Sequence, residues 1–256
     1  MRTRLFVAAL LLAGCEPGAE TPPVRVAAAA DLTLAFEELG RIFEQESGGS
    51  VTFSFGSTGL LAQQLRQGAP FDVFAAANVS FVEDVVAAGA CDAGTVAPYA
   101  RGRIAVWARR GGVAPPSSLA DLADERFVRV AIANPEHAPY GQAAREALET
   151  AGIWSEVAPR LVLGENVRQA LQFAETGNVE AAIVALSLVI RDRENPWLVV
   201  AEDLHDPIEQ ALVVCTRGSR RSGGQAFASF VNGPRGRTVM RSYGFLLPGE
   251  EATESP

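Results

Sequence analysis

The sequence predicts an α/β protein of two lobes, and three observations carry that prediction. Short apolar runs of strand length alternate with stretches of about 8 to 15 residues whose apolar positions recur at helical spacing. In a chain of 256 residues these runs are too numerous for one compact sheet, and at about 100 to 200 residues per domain the length suits two modest units. A hydrophobic fraction of 48% beside 20% charged residues is enough for packed cores and excludes disorder, collagen and coiled coil.

The elements follow in order. Residues 24–30 form a mostly apolar strand, with Asp31 as helix cap and a helix to about residue 45 whose face is Leu32, Ala35, Phe36, Leu39, Ile42 and Phe43. Residues 51–55 alternate as a strand, 56–59 turn, and 60–67 are helical. A strand at 71–76 leads to a helix at 79–88 closed by Gly89. The rhythm continues with a strand at 103–108, a helix from Ser118, a strand at 128–133 and a helix at about 140–151. Then come a strand at 161–163, a helix at 167–175, strands at 181–186, 197–201 and 210–215, and closing helices near 224–231 and 235–243. Strands alternating with helices imply βαβ units, so each lobe is expected to be a mainly parallel sheet flanked by helices.

The first fourteen residues do not belong to this pattern. Arg2 and Arg4 precede the apolar run 5–12, and Ala13 and Gly14 lead into Cys15, which is the plan of a secretory signal and too short to span a bilayer. Leu12 to Cys15 resembles the lipobox of bacterial lipoproteins, which implies that Cys15 is acylated and becomes the new N-terminus. Residues 16–23, rich in Pro, Gly and acid, read as a tether. Outside the cytoplasm Cys91 and Cys215 could pair, but each sits beside an apolar run, where a cysteine is commonly a small buried hydrophobe.

Composition narrows the chemistry. All 22 basic residues are arginine, which removes Schiff bases and the phosphate lysine of a P-loop. Two histidines and three cysteines make a zinc cage a poor expectation, and no cofactor or metal site is expected. The net charge of −8 becomes −10 once Arg2 and Arg4 leave with the leader, which argues against nucleic acid.

Ligands of open α/β sheets bind outside the carboxyl ends of the strands, where helix N-termini point. Four strand-to-helix junctions carry small or donor residues: 30–33 with Asp31, 56–59 with Ser57 and Thr58, 139–142 with Tyr140, and 164–167 with Val167. A helix start offers unpaired N–H groups and the positive end of its dipole, so it holds an oxyanion without lysine. At any single junction plain capping explains the residues; four in series on two lobes do not reduce to capping so easily. The six arginines between residues 210 and 249, with no acid among them, read first as a solvated face and second as a surface for a permease or anionic membrane. His137 reads as a loop residue near the cleft.

Five segments taken together, at 26–33, 55–62, 68–76, 134–141 and 165–171, with 177–187 after them, resemble the substrate-binding proteins of molybdate ABC transporters. The resemblance runs from about Val24 to Tyr243 and implies the type II periplasmic binding fold. It implies lobe I at 24–100 plus 207–248, lobe II at 101–206, and a tail at 249–256. It further implies a monomeric, lipid-anchored, extracytoplasmic protein, not an enzyme, that grips molybdate or tungstate between its lobes and delivers it to an ABC permease. The family's hydroxyl donors fall at Asp31 and at Ser57 or Thr58, and its backbone donors at Tyr140 and Val167. Two positions depart: Asp31 stands where serine is familiar, and Ala185 where some members have a donor tyrosine. At about 4 Å and an effective dielectric near 20, a carboxylate is repelled by about 4 kcal/mol per unit of anion charge. Asp31 therefore caps its helix, or binds protonated, or the guest is another oxyanion or small acid. A carboxylate-based hydrolase is the reading from a different class, and no Gly-x-Ser-x-Gly or His-x-x-x-His supports it.

Overall fold

The computed structural model describes residues 22–250; the leader, Cys15, most of the tether and residues 251–256 lie outside them. The strands form two five-stranded sheets, one of each lobe. The first has the order β2-β1-β3-β10-β4, built from β1 (Val24–Ala29), β2 (Val51–Gly56), β3 (Val73–Ala76), β4 (Ala97–Gly102) and β10 (Ile208–Val214). The second has the order β7-β6-β8-β5-β9, from β5 (Ile104–Ala108), β6 (Val130–Ala133), β7 (Leu161–Gly164), β8 (Ala181–Ala185) and β9 (Trp197–Val199). The chain crosses between the sheets after β4 and returns before β10. Among the described residues no helix is long and apolar enough to cross a membrane.

Each lobe is the expected sheet flanked by helices, and each sheet is mixed. In each sheet the βαβ strands pair in parallel, β2-β1-β3 and β7-β6-β8. One strand of each sheet runs against the rest: β10 pairs antiparallel with both β3 and β4, and β5 with both β8 and β9, so β4 and β9 point the same way as the βαβ strands. Strand β4 was not expected at all, because Pro98 and Arg101 interrupt its apolar run. Both are tolerated there since β4 is an edge strand. The helix expected from Ser118 is a short 3-10 turn, Leu119–Ala123, in which Asp121 is drawn back to the hydroxyls of Ser117 and Ser118.

The inner strands β1, β3, β5, β6 and β8 are almost wholly buried, which is why they read as continuous apolar runs. Helix α1 (Thr33–Ser47) lays Ala35, Phe36, Leu39 and Phe43 on the first sheet, where Phe36 meets Phe53, Tyr99 and Phe227. Helix α2 (Thr58–Arg66) and α3 (Val79–Ala87) pack Leu61, Leu65, Val82 and Val85 on the other face. On the second sheet lie α4 (Pro139–Thr150), the single turn α5 (Trp154–Val157), α6 (Val167–Glu175) and the single turn α7 (Leu186–Val189). Helices α8 (Arg221–Asn232) and α9 (Pro234–Ser242) close the chain on the first lobe. Cys91 and Cys215 are buried, as read from the sequence, yet they are joined in a disulfide. The apolar context was right; the missing information was that Cys91 pairs with Cys215 in a β-bridge at the end of β10. Glu250, placed in the tail by the sequence reading, accepts hydrogen bonds from Arg241 and from the Leu247 amide.

Candidate functional site

All four junctions singled out in the sequence meet at one cavity between the lobes. Ala29 to Asp31 come from the end of β1 and Gly56 to Thr58 from the end of β2; Pro139 and Tyr140 open α4, and Asn166 and Val167 open α6. The cavity holds about 200 Å³ of free space including its mouth. Its enclosed part, about 10 Å³, is far below the 300–1,000 Å³ common for organic ligands. Among the described residues no basic side chain lines it.

Its donors are backbone amides and hydroxyls. Asn166 caps α6 by accepting from the amides of Arg168 (3.1 Å) and Gln169 (3.0 Å). Val167, the first residue of α6, then keeps its N–H outside the helical ladder. Tyr140 is in the same situation as the second residue of α4, behind Pro139 and without a side-chain cap. Thr58 opens α2; its Oγ1 accepts from the Ala77 amide at 3.2 Å and its own hydrogen is left to donate. Ser57 instead reaches across the cleft: its Oγ donates to the His137 carbonyl at 2.6 Å and lies 2.8 Å from His137 Nδ1. The Gly59 amide bonds the same carbonyl at 3.0 Å, an approach that a side chain at Gly59 would block. Arg168 pairs with Glu175 on the solvent side of α6.

Asp31 does not cap its helix, which corrects one of the three readings. It sits inside the 3-10 turn Ala30–Leu32 that precedes α1, past the cap position, and no side chain caps either start. Better donors claim it. Tyr140 Oη donates to Asp31 Oδ2 at 3.0 Å and Gln210 Nε2 donates to the same oxygen at 2.8 Å. Asp31 is 1% exposed, and Oδ1 is buried with no partner. Burial pushes its carboxyl up to about 6, against the hydrogen bonds of Gln210, Tyr140 and its own backbone amide, which pull it down.

Sequence reasoning missed the side chains that hold Asp31. Tyr140 was read for its amide alone. Gln210 was read as part of a strand; its signal was a polar residue opening a buried apolar run. Ser187 donates to the Asp31 carbonyl at 2.7 Å. Ala185 is fully buried at the end of β8 and offers no donor. Gly102 makes the cluster possible, because a Cβ there would overlap Tyr140 Oη and reach 2.8 Å from Gln210 Nε2.

Two α/β lobes joined by crossing segments, with a small donor-lined cavity between them, define a solute-binding protein. The chain belongs to the bacterial extracellular solute-binding proteins, whose family model matches residues 24–246, and to their ModA family, on the relatives that follow. It is 37% identical to the molybdate-binding protein ModA of Azotobacter vinelandii over 251 residues, covering 96% of this chain and 98% of that one. It is 34% identical to ModA of Rhodobacter capsulatus over 239 residues, covering 92% and 93%. Among solved structures, the periplasmic molybdate-binding protein of Azotobacter vinelandii superposes with a TM-score of 0.82 at 26% identity, covering 88% of this chain and 99% of that one. These are binding proteins, and the chain is not an enzyme.

Proposed function

We propose that this protein captures molybdate or tungstate between its lobes and hands it to an ABC importer. The observation that carries the reading is the meeting of four helix starts at one small cavity with no basic side chain on its wall. Such a site favours a compact oxyanion held by neutral donors over a sugar, a peptide or a metal cation. Val167 and Tyr140 would supply amides and Thr58 a hydroxyl, Ser57 would lend its hydroxyl only on turning from His137, and Asp31 would stand against the guest. The names of the relatives supply molybdate as the particular oxyanion. Closing the lobes excludes water and strengthens each hydrogen bond, and the closed shape is what a permease recognises. Residues 24–100 with 207–248 would move as one lobe and 101–206 as the other. The protein would act as a monomer held on the outer face of a membrane by acylated Cys15.

Titration calorimetry of the processed protein with molybdate, tungstate, sulfate and phosphate tests this reading. One-to-one binding of molybdate and tungstate is expected. Failure of both to bind below millimolar concentration overturns the assignment, and exclusive binding of phosphate or sulfate replaces it with a different oxyanion.

A further inference from the structure

Among the described residues Asp31 is the one carboxyl on the cavity wall, and its two oxygens are treated unequally. Oδ2 takes the hydrogen bonds of Tyr140 and Gln210, while Oδ1 is buried and unpartnered. The donors around Oδ2 also fix one another: Gln210 Nε2 gives its second hydrogen to Tyr140 Oη at 3.1 Å, and the tyrosine hydrogen goes to Asp31. Oδ2 is thereby committed as an acceptor. Oδ1 is the atom that carries the hydrogen whenever the group is neutral.

Resting on the oxyanion reading above, we infer that capture is coupled to one proton: the occupied site holds a hydrogen between Asp31 Oδ1 and an oxygen of the guest. Asp31 thus reads the proton content of its ligand. A dianion without a proton, such as molybdate, draws one from hydronium or a buffer acid: the donor's bond to that hydrogen breaks, leaving water or the buffer base, and an O–H bond forms at Oδ1 and donates to the guest. An anion that retains a hydrogen brings its own and leaves the carboxylate as acceptor.

The surroundings offer nothing else to neutralise the charge. Facing Asp31 are Tyr140 from α4, Gln210 from β10, Ser187 from α7 and Tyr99 from β4, whose hydroxyl donates to the Ala76 carbonyl at 3.2 Å. Burial, with the charge of Asp31 second, holds both tyrosines well above their ordinary value, so they stay neutral. His137, before α4, is turned to Ser57, and Arg168 on α6 is paired with Glu175. Burial already favours the protonated acid, and a guest anion beside Oδ1 pushes it further the same way.

The test is calorimetric titration with molybdate at pH 5 and pH 8, each in two buffers of different ionisation enthalpy, which counts protons. Uptake close to one per molybdate is expected at pH 8 and about a tenth at pH 5, with the apparent Kd rising about tenfold per pH unit above 6. Asp31→Asn can donate from the Oδ1 position and accept at the other. It should bind with no proton uptake and no pH slope, about 100-fold tighter than the parent at pH 8. Parent protein that binds at pH 8 without taking up a proton, or Asp31→Asn that keeps the parental slope, overturns the inference and leaves the oxyanion reading standing. Folded protein, with a cooperative thermal transition, that binds none of molybdate, tungstate, sulfate and phosphate at either pH overturns the oxyanion reading itself.

Discussion

A carboxyl held near 6 in the fold and near 4 in the unfolded chain ties the stability of the empty protein to pH. The proton binds the folded state more tightly, so this contribution is fully present below about pH 4 and is lost as pH rises through 6. The shift of about two units corresponds to about 3 kcal/mol. Asp31→Asn is expected to match the parent at pH 4 and to exceed it by about that amount at pH 8 in denaturant titrations without ligand. A gap that shrinks with rising pH would show that the carboxylate is the favoured form. Gly102→Ala is the second residue-scale case: its methyl would displace Tyr140 Oη and Gln210. A loss of about 1 to 3 kcal/mol is expected, with weakened anion binding; unchanged stability would mean that the three side chains do not form one unit. Asp31 was legible as a junction residue because it follows an apolar strand just ahead of a helix, and it lines the cavity. Its partners were not, since Gln210 lies 179 residues away and only the return of β10 brings it there.

At the scale of elements, the donors depend on how each helix begins. Asn166 satisfies two amides of α6 and so sets the aim of Val167. Asn166→Ala is expected to cost about 1 kcal/mol of stability and to weaken anion binding beyond that, read by thermal unfolding and titration together. Equal affinity would remove the Val167 amide from the site. The inner strands and the helices that carry a clean apolar face were readable from period alone, as α1 and α6 illustrate. Strand β4 was not, because an edge position accepts the proline and arginine that break its pattern. The direction of β10 was equally invisible, since an apolar run reads the same whichever way it pairs.

For the whole molecule, the lobes are near each other through several contacts besides the cavity. Ser57 and Gly59 meet His137, and Arg191 beyond α7 pairs with Glu38 of α1 at 3.0 Å. The disulfide between Cys91 and Cys215, 124 residues apart, ties the end of β10 to the loop after α3. Cys91→Ser with Cys215→Ser should lower stability by about 2 to 5 kcal/mol in denaturant melts while preserving anion affinity, since neither cysteine touches the cavity. Lost affinity with intact folding would instead couple the bridge to the site. The C-terminal arginines are mostly engaged, Arg221 with Asp92, Arg235 with Glu46 and Arg241 with Glu250, which favours the solvated face over a free basic patch. A net charge of −8 gives an anion no long-range attraction, so capture depends on short-range geometry. Anomalous diffraction at the tungsten edge from crystals grown with tungstate tests that most directly. One strong peak is expected inside the cavity, within hydrogen-bonding range of Thr58 and the Val167 amide and beside Asp31; peaks only at surface arginines, or none, would rule out an oxyanion site there.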